Sequence, residues 1–176
     1  MNMSPTSHYL IIGCGYLGKR LLALLDSQTC WYTRRTQFPE KRALLFDINN
    51  EATWHNLDSL SSVKELTLYC MIPPSKIELA CFSDCIKQLN QLNIKRSVLV
   101  SSTVVYGNDD RIVNADSDVN IDNKRAERQY RIEQDWLATI KNGLIVRLAG
   151  IYGSERIIGK TKIINGDAIS GNPEGW

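Results

Sequence analysis

The stretch LIIGCGYLGKRLLALL, Leu10 to Leu25, constrains the fold of this chain more than any other. Tyr9 to Ile12 is a short apolar run suited to a strand buried on both faces of a parallel sheet. Three glycines interrupt it. Then Leu17, Leu21, Leu22, Leu24 and Leu25 recur at i, i+4, i+7 and i+8, the stripe of a helix packed on that sheet. Gly13, Gly15 and Gly18 fit G-x-G-x-x-G at the junction of strand and helix. In that setting Gly13 permits the tight turn, Gly15 lets a pyrophosphate approach the backbone, and Gly18 lets helix and strand pack closely. The helix start adds free N–H groups and partial positive charge. Gly13, Cys14, Gly15, Tyr16, Leu17 and Gly18 are therefore a candidate nucleotide-binding turn. The competing reading is a glycine-rich turn that holds no ligand.

The pattern repeats downstream. Strands are predicted at Thr29 to Thr33, Ala43 to Phe46, Val63 to Met71, Ser97 to Ser101 and Leu144 to Leu148, all β-branched, aromatic or apolar. Pro73 and Pro74 close the fourth strand, because neither can donate to a ladder. Glu51 to Leu60 reads as a short helix or an irregular link. Ile77 to Leu92 spaces Leu79, Phe82, Ile86, Leu89 and Leu92 as a helix, and a polar stretch runs from Asn108 to Asn123. Lys124 to Ile140 is a charged helix whose apolar members are Ala126, Tyr130, Trp136, Leu137 and Ile140, with Gly143 as its cap. Strands alternating with helices predict an α/β fold, a doubly wound parallel sheet (Rossmann fold) in three α/β/α layers. Residues 1–150 are expected to form that domain. Residues 151–176, rich in glycine and polar side chains, are expected to begin a substrate-binding region that the chain does not finish.

Composition narrows the classes. A length of 176 residues with 43% hydrophobic side chains suits one domain with a real core. Lys and Arg number 21 against 19 Asp and Glu, a formal charge of +2, which favours neither nucleic acid nor an anionic membrane as partner. The densest basic stretch, RRTQFPEKR, reads as a solvated loop. Cys14, Cys30, Cys70, Cys81 and Cys85 read as buried thiols in a reducing compartment. Cys81 and Cys85 stand four apart without a second pair, so no metal site is expected. The N-terminus lacks a signal-peptide pattern and no long apolar span occurs, so a cytoplasmic location is expected.

Cofactor choice turns on the end of the second strand, where an Asp or Glu about 20 residues on would bind the ribose 2′-hydroxyl of NAD. Arg34 and Arg35 stand there instead. A guanidinium binds a 2′-phosphate through paired charge-assisted hydrogen bonds, so NADP is favoured, with NAD left open. The bland alternative is a pair of exposed loop arginines.

Two further motifs follow at Ser101 to Gly107 (SSTVVYG) and Arg147 to Gly153 (RLAGIYG). With these and the glycine turn, the chain resembles the NAD(P)-dependent epimerase/dehydratase family, extended and atypical members of the short-chain dehydrogenase/reductase superfamily, from Leu10 to about Ile164. The resemblance implies that Asp47 lies near the adenine, that CMIPPS, with Ile72, Pro73 and Pro74, passes along the cofactor beside Ser101, and that Ser102 is the catalytic hydroxyl. It also puts Thr103, Tyr106 and Arg156 on the substrate side. Asp47 reads equally as a strand-end turn residue, Ser102 as a hydroxyl serving local backbone, and Arg156 as a solvated charge.

Family chemistry uses a Tyr-x-x-x-Lys pair on the helix after the fifth strand, in which the lysine lowers the tyrosine pKa. Here Tyr130 is the tyrosine of that helix, and Gln134 stands where the lysine belongs. Alignment on Glu133 instead puts Arg125 and Gln129 at the two positions. Tyr130 is retained as a candidate proton donor beside its reading as a packing residue. The resemblance implies an oxidoreductase or epimerase/dehydratase acting on a nucleotide sugar or other small polar substrate. The rival is an NADP(H)-binding module that senses redox state or regulates, without turnover. A homodimer is compatible with either.

Overall fold

The computed structural model describes residues 7–108, 111–153 and 156. Six strands, β1 (His8–Ile12), β2 (Cys30–Arg34), β3 (Ala43–Leu45), β4 (Leu66–Cys70), β5 (Ile94–Ser102) and β6 (Gly143–Leu148), form one sheet in the order β3-β2-β1-β4-β5-β6. Every neighbouring pair is parallel. This is the Rossmann order expected from the alternating pattern. It reverses between β1 and β4, and doubly wound sheets bind ligands in the crevice at that point.

Three helices cover the sheet: α1 (Tyr16–Leu22), α2 (Leu79–Leu89) and α3 (Lys124–Thr139). The larger core joins Leu10, Ile12, Leu66, Leu68 and Leu99 of the sheet to Phe82 and Leu89 of α2 and to Ile132 and Trp136 of α3. Phe82 and Trp136 stack with centroids 6.5 Å apart, locking the two helices together. The other face is thinner. There Ile11, Cys30 and Tyr32 are buried, with Leu21, Leu22 and Leu25 packed over them.

Three local expectations are corrected, and a fourth, the short helix or irregular link at Glu51 to Leu60, resolves as a helix. The leucine stripe of α1 ends early: the helix stops at Leu22 and Leu24 is 83% exposed. Glu51–Leu60 is a 3-10 helix whose buried residues, Trp54, Leu57 and Leu60, recur every third position, as three residues per turn require. Gly143 does not cap α3. Asn142 takes the left-handed conformation at φ 55°, which asparagine tolerates, and Gly143 opens β6. A Cβ on Gly143 would stand 3.2 Å from Trp136 Cδ1, so close packing explains that glycine. On α3, Tyr130 is half-buried and Leu137 exposed, while Gln129 and Glu133 share the buried face with Ala126, Ile132 and Trp136. Most of 151–176 lies outside the described residues, so the expected second region is not described. No helix among the described residues is long and apolar enough to cross a membrane.

Candidate functional site

The glycine turn is built by close approach. Gly13 has φ 87°, and a Cβ there would fall 2.9 Å from the backbone nitrogen of Ile72, just beyond β4. The Gly13 N–H donates to Thr33 Oγ1 at 3.2 Å, fastening the turn to β2. On Gly18 a Cβ would stand 2.8 Å from the Gly13 carbonyl oxygen. Gly15 differs: it is exposed, and a Cβ there would meet nothing within 4 Å. Gly15 caps α1 without a side-chain hydrogen bond, and the first turn carries no acidic residue. The leading N–H groups of a helix have no partner inside it. Open space before uncapped N–H groups is what an anionic group needs.

Cys14 is half-buried against Ile11, Cys30 and Tyr32. Burial pushes its thiol pKa up, against the pull of Arg34 and Lys19, so at neutral pH it is a protonated packing group.

At the end of β2 the two arginines part. Arg34 packs beside aromatic rings, its guanidinium carbon 4.6 Å from the Phe38 centroid and 5.7 Å from that of Tyr32. It lines a cavity of about 180 Å³ with Thr36, Gln37, Leu45 and Asn56. Its Nε is buried without a hydrogen-bond partner. Arg35 is exposed. Asp47 organises its own turn: Oδ1 accepts the Asn49 N–H at 3.0 Å, its N–H donates to Thr53 Oγ1 at 2.9 Å, and its carbonyl accepts Trp54 Nε1 at 2.9 Å. Ile72 packs on Gly13. Pro73 is exposed, and the Pro74 carbonyl accepts Arg128 Nε from α3 at 3.0 Å.

The β5–β6 end is a closed network. Ser101 Oγ donates to Glu133 Oε1. Arg147 makes a bidentate pair with Glu133, the shortest contact being Nη2 to Oε2 at 2.7 Å. Its Nη1 donates to the Tyr106 hydroxyl at 2.9 Å, and that hydroxyl donates to the Asn114 carbonyl at 2.8 Å. Glu133 is 1% exposed, and its carboxylate raises the Arg147 pKa above the usual arginine range. Ser102 ends β5 and accepts the Val104 N–H at 3.3 Å, capping the 3-10 turn Thr103–Tyr106.

Tyr106, a substrate-side candidate, is 7% exposed with its hydroxyl held by Arg147 and Asn114. Tyr130, the candidate proton donor, lines a groove between α2 and α3 with Leu79, Ser83 and Gln134. The cause is helix geometry, since the face that meets the sheet is carried by Ala126, Gln129, Glu133 and Trp136. Thr103 is half-buried and Arg156 exposed. Sequence reasoning missed Glu133 and Arg147 as a pair. The available signal was Glu133 standing seven residues after Ala126 and three before Trp136, on the buried stripe. Among the described residues, no group of three His, Cys, Asp or Glu is placed to hold a metal ion.

No family model and no curated protein sequence matches the chain. Solved structures do. A protein described as an NAD-dependent epimerase/dehydratase, from Methylobacillus flagellatus, is 24% identical with a TM-score of 0.72 over 85% of this chain and 56% of its own. The Bordetella bronchiseptica enzyme WbmH, solved with NAD+, is 16% identical with a TM-score of 0.69 over 92% of this chain and 64% of its own. UDP-glucuronic acid 4-epimerase from Bacillus cereus, solved with NAD, is 15% identical with a TM-score of 0.67 over 92% of this chain and 65% of its own. The chain thus spans less than two thirds of each of these structures. Its fold is the Rossmann fold of NAD-dependent epimerase/dehydratase and short-chain dehydrogenase/reductase structures.

Proposed function

We propose that this chain is the dinucleotide-binding part of an atypical short-chain dehydrogenase/reductase, an oxidoreductase or epimerase/dehydratase acting on a nucleotide sugar or another small polar substrate, with NADP preferred over NAD. The observation that carries the reading is the glycine turn: Gly13 and Gly18 are fixed by contacts that admit no side chain, while Gly15 faces open space. Gly15, Tyr16 and Leu17 would hold the diphosphate, and Arg34, with its unpartnered Nε, would take the 2′-phosphate. NADP, when bound, supplies hydride transfer. The NAD complexes among structures of the same fold support a nicotinamide dinucleotide. Five free cysteines support a cytoplasmic setting.

Calorimetric titration of NADPH and NADH tests the reading. NADPH is expected to bind about tenfold or more tightly than NADH, in line with the cost of leaving a charged hydrogen bond unmade. Equal affinities overturn the NADP assignment, and absence of binding overturns the dinucleotide reading.

A second reading, an NADP(H)-binding regulatory module without turnover, is favoured by two placements: Ser102 Oγ serves the Val104 N–H, and Tyr130 lies in the groove between α2 and α3. If the chain turns over a substrate and Ser102→Ala abolishes turnover while NADPH still binds, the enzymatic reading stands. NADPH binding without turnover across a substrate panel supports the module.

A further inference from the structure

We propose that Tyr16, Arg20 and Arg156 form an anion subsite that takes the phosphoryl or carboxylate group of a small-molecule substrate, at the edge of the cofactor turn and sharing Tyr16 with it. The proposal rests on the dinucleotide reading above, since it places a second anion beside a bound dinucleotide.

Two segments far apart in the chain build this cluster. Tyr16 opens α1, and Arg20 follows one helical turn later, which puts the two side chains on the same face. The Arg20 guanidinium carbon lies 3.5 Å from the Tyr16 ring centroid, and its Nη1 donates to the Tyr16 carbonyl at 3.1 Å. Arg156 arrives from beyond β6. Paired backbone hydrogen bonds of 3.0 and 2.9 Å between Gly153 and Arg156 close a turn, and its guanidinium carbon lies 5.8 Å from the same ring. A Cβ on Gly153 would collide with the Tyr16 hydroxyl, so the phenol rests against glycine backbone.

Two guanidinium groups thus converge on one aromatic ring. The ring's negative face offsets part of their mutual repulsion but cannot neutralise it. Among the described residues, neither group has a carboxylate within salt-bridge distance, whereas Lys87, Lys95 and Arg131 pair with Asp84, Glu65 and Asp135. A guanidinium fork with no carboxylate partner among the described residues suits the oxygens of a phosphoryl or carboxylate group. The cluster flanks the glycine turn, on the residue directly after Gly15, so an anion there would sit at the edge of the dinucleotide crevice.

The test titrates inorganic pyrophosphate into the free chain and into the chain saturated with NADPH, for the native protein and an Arg20→Gln, Arg156→Gln double variant. Pyrophosphate is expected to bind the NADPH-loaded chain, and the double variant to weaken it about tenfold while changing NADPH affinity less than twofold. Failure of pyrophosphate to bind the loaded chain, or equal affinity in the variant, overturns the subsite. Competition with NADPH, together with weaker NADPH binding by the variant, assigns the arginines to the cofactor's own diphosphate and also overturns it. If NADPH binds neither protein, the dinucleotide reading fails by itself, and the free-chain titration decides whether the arginines hold an anion.

Discussion

The two ends of the sheet's C-terminal edge are finished to different degrees. Around the glycine turn, polar groups are left over: Gly15 faces open space, α1 has no side-chain cap, and Arg34 Nε is buried without a partner. At the ends of β5 and β6 they are consumed, since Ser101, Glu133, Arg147, Tyr106 and Asn114 satisfy one another in a single chain of hydrogen bonds. Unpaired buried polar groups cost free energy, so the one at the end of β2 is a group that a ligand can complete. A closed network does the opposite: it secures α3 to the sheet and leaves little with which to do chemistry. The glycine turn is thus the open end of the sheet, and α3, beside the closed end, carries no Tyr-x-x-x-Lys pair.

The largest effect is expected in the closed network. Glu133→Ala strands Arg147 and Ser101 and should cost about 3–5 kcal/mol in urea unfolding, the usual penalty for breaking a buried pair. Glu133→Leu combined with Arg147→Met should cost less than either single change. If the double change is as damaging as the two single losses added, the network is not acting as one unit. Next comes Gly13→Ala, which forces a side chain to φ 87° and against Ile72, with an expected loss of about 2 kcal/mol.

Gly15→Ala sharpens the contrast from the other side. Its φ is −86° and its Cβ meets nothing, so the midpoint of unfolding should hardly move, yet NADPH affinity should fall about tenfold. A stability loss without a binding loss would make the turn merely structural. Arg34→Ala is expected to weaken NADPH more than NADH, and equal losses would remove the 2′-phosphate assignment.

The effect that is smallest near neutral pH is alkaline. Burial lifts Cys30 to about 11 and Cys70 to about 12 from the thiol value of 9.0, so the fold favours the protonated form of both. Their contribution is complete below pH 9 and is lost as pH climbs toward 11 and 12. At pH 9 the loss is about 0.4 kcal/mol per thiol, steepening above that. Unfolding midpoints measured from pH 7 to 10.5 should decline only above about pH 8.5, and Cys70→Val should flatten the decline.

The elements that sequence reading found best are those whose signal is local. The strand, glycine turn and helix at Tyr9 to Leu22 are written within fourteen residues, and the alternation of strands and helices that follows predicts a parallel sheet. Signals that depend on which way a helix faces were read less well. Tyr130 and Leu137 are apolar-bodied and looked like core, but α3 turns Gln129 and Glu133 inward instead. Gly143 looked like a cap because glycine usually is one, and only the approach of Trp136 reveals its use.

By itself, then, the sequence determined the architecture and the glycine turn, because backbone sterics and hydrophobic periodicity act between near neighbours. Tertiary structure decided how the side chains are spent. It joined Glu133 to Arg147 across 14 positions and Tyr106 to Arg147 across 41, and it brought Arg156 to the ring of Tyr16. Such pairings depend on which residues the crossovers bring side by side, and no spacing along the chain encodes that distance.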